Sequence, residues 1–360
     1  MREELGSDDA ARHREVTTGV LCALLVICLY SSFTLVSRLG LTTSLGVFDL
    51  AAVRFGVSGI LLLPIVLRYR LQHLRFRDAA GLALLGGFGF ALLCYIGFGL
   101  SPASHGGVLV HGCLPLFTFI LMRLSGAAMR GPGEATGVAL IAAGVVMIAA
   151  ETLSTSTASQ LLGDACLLAA SLSWSGYGMY AARLKVAPLH AAALVSCLSM
   201  SLFLPMYAAW PDKQLFTAPL NDVLVQIVFQ GGLIGAGSIL LYTRALTALG
   251  PARIALFAAA VPALTTVAAI PLLGEVPSLL SAAGVTATTV GMLVGLSGPR
   301  SGGRRRSSLW RLFLRDHKER QELGGLSNSM LRDLNLTRID TLRGAGQPWW
   351  SEGPVGPRHF

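Results

Sequence analysis

An ionisable side chain inside an apolar run is costly and is a functional candidate by default, and this chain holds few of them. Arg54 follows Asp49 by five residues near the start of one such run. Two readings stand for this pair. One is structural: an Asp49–Arg54 ion pair, or an anchor whose guanidinium reaches the interface along its aliphatic stem. The other is a contact from Arg54 to a substrate anion. His111 lies midway along a different run, four residues before Pro115. It suits either a helix–helix hydrogen bond or a cavity wall that exchanges a proton near neutral pH. His105 lies nearer the start of the same run and is expected at the interface.

Pro115 and Pro262 each remove a helical hydrogen bond and free a carbonyl. In a membrane such a carbonyl must face protein or a wet cavity. Tyr30, Tyr95, Tyr242, Trp174 and Tyr177 add hydroxyl and indole donors within apolar runs. They suit an amphipathic solute, and interfacial aromatic anchoring is the competing reading. Two carboxylates sit at run boundaries, where a helix dipole favours negative charge. Asp164 is expected to open its run on the inner side, and Glu275 to open the last run on the outer side. The six cysteines lie inside apolar runs without zinc or Cys-x-x-Cys spacing, and read as small packing residues.

The elements that carry these groups follow from composition. Hydrophobic residues make up 53% of the 360 and charged residues only 13%, against about 25% charged in soluble domains. Mean hydropathy is +0.63. An ordinary soluble domain and a disordered chain are both excluded. Ten runs approach the roughly 20 residues that cross a bilayer: about 18–37, 49–67, 79–99, 103–122, 134–150, 163–182, 190–210, 222–243, 253–273 and 278–297. With the N-terminus inside, thirteen Lys/Arg fall on inner segments ahead of the tail, including Arg68, Arg75, Arg123 and Arg183. Outer loops hold two, Arg38 and Lys213. Basic residues mark cytoplasmic loops, so both termini are expected in the cytoplasm. From Arg300 onward the chain carries 12 Lys/Arg and 6 Asp/Glu, a basic tail on a membrane body.

Shifted by 147 residues, the chain meets itself. Tyr95 meets Tyr242, Leu109 meets Leu256, Pro115 meets Pro262 and Thr118 meets Thr265. Ala135, Gly137, Val138 and Gly144 meet Ala282, Gly284, Val285 and Gly291. Near the front the offset drifts to 144, where Gly19 meets Gly163 and Tyr30 meets Trp174. Two five-helix halves result, 18–150 and 163–298, joined by a polar connector at 151–162. Five is odd, so the halves enter the membrane from opposite sides. Inverted repeats with Pro/Gly-interrupted helices are characteristic of secondary transporters with a midplane substrate site.

At FTLVSRLGL (33–41), Ala52-Val53-Arg54-Phe55, Gly163-Asp164 with Trp174, and Leu256 to Pro262 with Leu272-Leu273-Gly274-Glu275, the body resembles the EamA-type members of the drug/metabolite transporter superfamily. The resemblance implies a metabolite or drug carrier, often an exporter. Its cavity would be formed by helices 1, 3, 4, 6, 8 and 9. Members often carry Gly-Glu at the end of both halves, whereas the first half here reads Ser125-Gly126-Ala127-Ala128. Whatever that glutamate does is present once.

The tail, over 307–350, resembles the arginine-rich YjiS-like domain through Leu331-Arg332-Asp333-Leu334-Asn335-Leu336-Thr337-Arg338. Ser327 and Thr337 have the character of helix N-caps, so a small helical cytoplasmic unit is expected between the linker 299–306 and a flexible 351–360. Arg304, Arg305 and Arg306 follow the last run and suit anionic lipid. Nucleic-acid contact by the tail is the lesser alternative. No Walker, HExxH or Ser/His/Asp pattern is present, so neither ATP-driven transport by this chain alone, nor an enzyme, nor a cofactor or metal site is expected. The expected protein is an all-α polytopic membrane carrier of ten transmembrane helices, with a bacterial inner-membrane location. It would export amino acids or similar amphipathic metabolites by alternating access. The alternative is a membrane-anchored scaffold or regulator acting through the basic tail.

Overall fold

A computed structural model describes residues 2–69, 74–125, 132–155, 158–249, 254 and 257–297, with side chains from residue 15. Contacts divide the chain into a unit over Met1–Arg300 and another over Ser301–Phe360. The second unit lies outside the described residues, and with it the YjiS-like segment and Arg304–Arg306.

The described residues form helices and no strand. In chain order these are α1 (Arg2–Thr43), α2 (Val47–Tyr69), α3 (Phe76–Leu100), α4 (Ala103–Leu124), α5 (Pro132–Thr155), α6 (Ala158–Leu184) and α7 (Pro188–Ala208). Then come α8 (Leu220–Gln226 continued through Ile227–Gly237 and Ser238–Leu249), α9 (Val261–Leu273) and α10 (Leu279–Ser297). Eight are long and apolar enough to cross a membrane. The two expected spans outside that set are α6 and α9. α6 has length, 27 residues, but Gln160, Asp164 and a run of serines lower its hydropathy. α9 is apolar but has only 13 residues.

A polar N-terminal segment, 1–17, precedes the first apolar run, and its described residues are helical. Backbone helix runs from Arg2 into the span without a break, because its Glu, Ala and Arg residues are good helix formers.

The prolines act differently from the expected mid-helix kinks. Pro115 and Pro262 each lie in the first turn of a restarted helical segment, Leu114–Leu124 and Val261–Leu273, where a missing N–H costs little. The residue before each restart has nearly the same backbone: Cys113 at φ −81°, ψ −10° and Ala260 at φ −78°, ψ −15°. These positions are 147 apart, so the repeat extends to the geometry of the break. A second pair of irregularities matches as well. Wide π-type turns occupy Leu84–Phe88 in α3 and Ile227–Gly237 in α8, at Gly86 and Gly87 with Gly89 just after in the first, and at Gly231, Gly232, Gly235 and Gly237 in the second.

The packing follows a two-fold exchange. α1 rests on α8 as α6 rests on α3, its repeat equivalents in reverse, and α2 faces its own equivalent α7. The pattern is sharpest where α5 crosses α10. Gly137 abuts the carbonyl of Gly291, and Gly144 abuts that of Gly284. Gly284 and Gly291 are the repeat equivalents of Gly137 and Gly144, so the two contacts interchange under a two-fold rotation. Equivalent helices therefore run antiparallel at this crossing.

Candidate functional site

A chain of rings occupies the interior between the halves. Trp174 packs on Tyr177 at 5.2 Å and on Phe90 at 4.6 Å between ring centroids. Phe33 joins Phe90 at 6.5 Å and Tyr95 at 6.2 Å. Arg54 lies over Phe33 with its guanidinium carbon 5.1 Å from the centroid. On the other side Tyr30 stacks against His111, with centroids 5.8 Å apart and planes at 25°. Tyr30 also shares an apolar cavity of 20 Å³ with Tyr242, and it lies within electrostatic reach of Arg54, Tyr177 and Tyr242. Offset stacks of this kind are favourable beyond simple burial. The cavity has room for water but not for a solute of amino-acid size.

Most of the residues singled out by sequence therefore come together: Tyr30, His111, Trp174, Tyr177, Tyr242 and Arg54. Pro262 is buried and Pro115 partly buried at the two helix restarts. The carbonyl of Val110, loosened by the π-type turn before Pro115, accepts the Ser171 hydroxyl at 2.8 Å, as a freed carbonyl in a membrane requires. Tyr95 differs from a cavity-lining residue. It is fully buried, and its hydroxyl donates to Gln230 Oε1 at 3.1 Å. Gln230 in turn donates to Ser37 at 2.8 Å, and Gln226 donates to the Val36 carbonyl at 2.9 Å. The two glutamines escaped the sequence reading. Their signal was there: two buried amides, four apart on an otherwise apolar helix.

The Asp49–Arg54 ion pair does not form. Asp49 is turned to the end of the bundle, where it accepts the Tyr207 hydroxyl and the amides of Gly46 at 2.8 Å and of Gln214 and Leu215 at 3.2 Å. Four donors satisfy the carboxylate, so it has no need of Arg54.

A second polar cluster lies at the end carrying the α9–α10 turn. Gly274 adopts φ +68°, and the following amide of Glu275 bonds back to the Ala269 carbonyl at 3.3 Å. This is a glycine-terminated helix end, and it turns Glu275 away from α9. The carboxylate receives Arg38 of α1 and the backbone N–H of Ala103 at 2.7 Å. Arg38 also donates to the Phe98 carbonyl at 2.7 Å. Glu275 thus caps α4, not the final span as expected. The carboxylate does meet a helix N-terminus, as the dipole favours, but tertiary contact chose a different helix.

Asp164 needs two corrections. α6 starts at Ala158, so Asp164 is past the first turn and binds side chains instead of the helix end. It accepts Thr152 at 2.6 Å and faces His105 Nδ1 at 3.0 Å. The expected placement of Asp164 and Glu275 on opposite sides also fails. His105 is two residues from Ala103, so Asp164 lies at the same end as Glu275. His105 itself is 1% exposed, enclosed where interfacial contact was expected, with Nε2 3.9 Å from Glu151. Replacing Asp164 by Ala strands the buried His105 Nδ1, a loss of about 1–3 kcal/mol, while the Thr152 hydroxyl keeps the Ile148 carbonyl at 3.1 Å. A lowered unfolding midpoint is expected for Asp164→Ala in detergent, with Asp164→Asn largely restoring it.

Antiparallel equivalent helices, matched breaks and a polar-edged aromatic cluster between apolar halves define a multi-pass membrane protein with a two-fold internal repeat. A model of the EamA-like transporter family matches residues 17–150 and again 161–296. The chain belongs to that family, whose members are membrane transporters of small solutes rather than enzymes. A search of curated proteins gives no match. Among solved structures, one similar crystal structure, described only as that of a protein, superposes with a TM-score of 0.53 at 18% identity. The similarity covers 78% of this chain and 97% of that one, and speaks for the fold alone.

Proposed function

We propose that this chain is a secondary carrier that moves small amphipathic metabolites, amino acids or similar solutes, outward by alternating access. Ten spans in two inverted five-helix halves, 18–150 and 163–298, would carry it across a bacterial inner membrane with both termini in the cytoplasm. The observation that carries the reading is the exchanged packing of Gly137 and Gly144 against Gly291 and Gly284. Two halves related in this way can trade conformations, which is how inverted repeats alternate access. The matched restarts at Pro115 and Pro262 border the aromatic cluster, so the moving elements and the candidate site coincide. Tyr30, His111, Trp174, Tyr177 and Tyr242 form the proposed lining. Arg38 and Glu275 bind the first half to the second at the end assigned to the periplasm, and serve as the outer closure. The segment 307–350 is proposed as a YjiS-like helical unit, with Arg304, Arg305 and Arg306 held near anionic lipid.

The test is flux in sealed proteoliposomes, for a panel of labelled amino acids and amphipathic metabolites, with and without a proton gradient. Saturable flux of a solute subset is expected, and it should survive deletion of 300–360. Absence of flux for every solute, with a cellular phenotype that depends on the tail, would replace the carrier with a tail-based scaffold. Reagent labelling of cysteines placed in the 183–190 loop from the periplasmic face alone would invert the proposed orientation.

A further inference from the structure

Arg54 carries a positive charge within a membrane span and has no carboxylate to balance it. Among the described residues it forms no ion pair, and its Nη1 is buried without a hydrogen-bond partner. Asp49, five residues away, is fully occupied elsewhere. What surrounds the guanidinium is neutral: the Phe33 face, the Tyr95 hydroxyl, and Tyr30 beyond. An unpaired charge of this kind is destabilising in a low-dielectric interior. A guanidinium at the lipid face escapes by reaching for headgroups. Arg54 instead lies against rings that belong to the interior chain.

We propose that Arg54 is the anion-recognising group of the transport site, and that the solute supplies the missing counter-charge as a single carboxylate. The inference rests on the carrier reading above. Arg presents a planar fork that matches a carboxylate with two parallel hydrogen bonds. The groups nearest to it are phenols and plain rings, and His111, on the far side of Tyr30, has a buried Nδ1 without a partner. One cation in neutral surroundings balances one negative charge, so a monocarboxylate fits and a phosphate dianion is left half-compensated. The apolar body of the solute then rests on the flat surfaces of Phe90, Trp174 and Tyr177. Opening of the ring cluster accompanies binding, because the cavity at Tyr30 and Tyr242 holds only 20 Å³.

The full-length chain in proteoliposomes is tested with one scaffold in four forms: phenylpropionate, phenylpropionamide, phenylpropylamine and phenylpropyl phosphate. Flux and thermal stabilisation are both read. The carboxylate is expected to be moved and to stabilise the protein at least tenfold better than the other three. Arg54→Gln should abolish that preference, and Arg54→Lys should keep some of it, since a point charge replaces the fork. The wild-type comparison stands even if Arg54→Gln fails to fold. Equal handling of the amide or amine overturns the proposal and leaves the carrier intact. Preference for the phosphate overturns the single-charge argument. If no solute of any charge moves or stabilises the protein, the carrier reading falls and the proposal falls with it.

Discussion

Glu275→Ala is expected to open the end of the bundle that Arg38 and Ala103 now hold closed, and to do so by about two orders of magnitude in the open-to-closed ratio. The carboxylate has two roles: it pairs with Arg38 and it caps α4 through the Ala103 amide. Removing it leaves Arg38 with only the Phe98 carbonyl and leaves the α4 N-terminus uncapped. Breaking a buried ion pair costs about 3–5 kcal/mol. The side chains of Arg38 and Glu275 are 16% and 24% exposed, which favours the lower figure, and each 1.4 kcal/mol is a factor of about ten. The measurement is the labelling rate of Ser281→Cys by an impermeant thiol reagent, in a background lacking the exposed Cys28. Ser281 lines the 60 Å³ cavity beside Glu275. Labelling should rise steeply with Glu275→Ala and less with Arg38→Gln, because the cap on α4 survives the second change. An unchanged rate in Glu275→Ala would show that other contacts hold this end shut.

Gly144→Leu is expected to prevent assembly of the two halves. A Cβ at Gly144 would lie 2.2 Å from Thr288 Oγ1 and 2.6 Å from the Gly284 carbonyl oxygen. The second obstacle is backbone, which no rotamer change removes. Overpacking a core typically costs about 1–3 kcal/mol, and here the remedy is to push α5 and α10 apart along a seam built on small residues. Gly284→Leu, the two-fold equivalent of the Gly137 position and the partner of Gly144, should fail in the same way, since its Cβ would come within 2.9 Å of the Gly144 carbonyl oxygen. Gly178→Leu is the control, because nothing lies within 4 Å of its added Cβ. The yield of monodisperse protein and the unfolding midpoint read the difference. Normal yield for Gly144→Leu would mean that the α5–α10 seam is not where the halves are held.

Much of the architecture was readable because it depends on periodicity and copy. Apolar runs fell where helices form, and the 147-residue offset paired residues that the two-fold axis then brought into exchanged contact. The ninth run shows the limit. Its composition is continuous from 253 to 273, yet the helix breaks at Ala259 and Ala260 and restarts at Val261, because whether a proline kinks a helix or restarts it depends on what packs against the break. Gln226 and Gln230 were legible in principle, but a buried amide reveals its role only through its partner.

The sequence by itself determined that this chain is a membrane protein of two related halves. Those properties follow from hydropathy, charge count and internal identity, none of which needs a fold. Only the tertiary structure decided which charges meet. Arg38 and Glu275 are 237 residues apart, and Asp49 and Arg54 are five, yet the distant pair joins and the near pair separates. On a helix, residues five apart point about 140° away from each other, so Asp49 turns to the Tyr207 end while Arg54 faces the rings. Crossing helices then set which remote side chain arrives at each face, and that information lies in packing rather than in spacing.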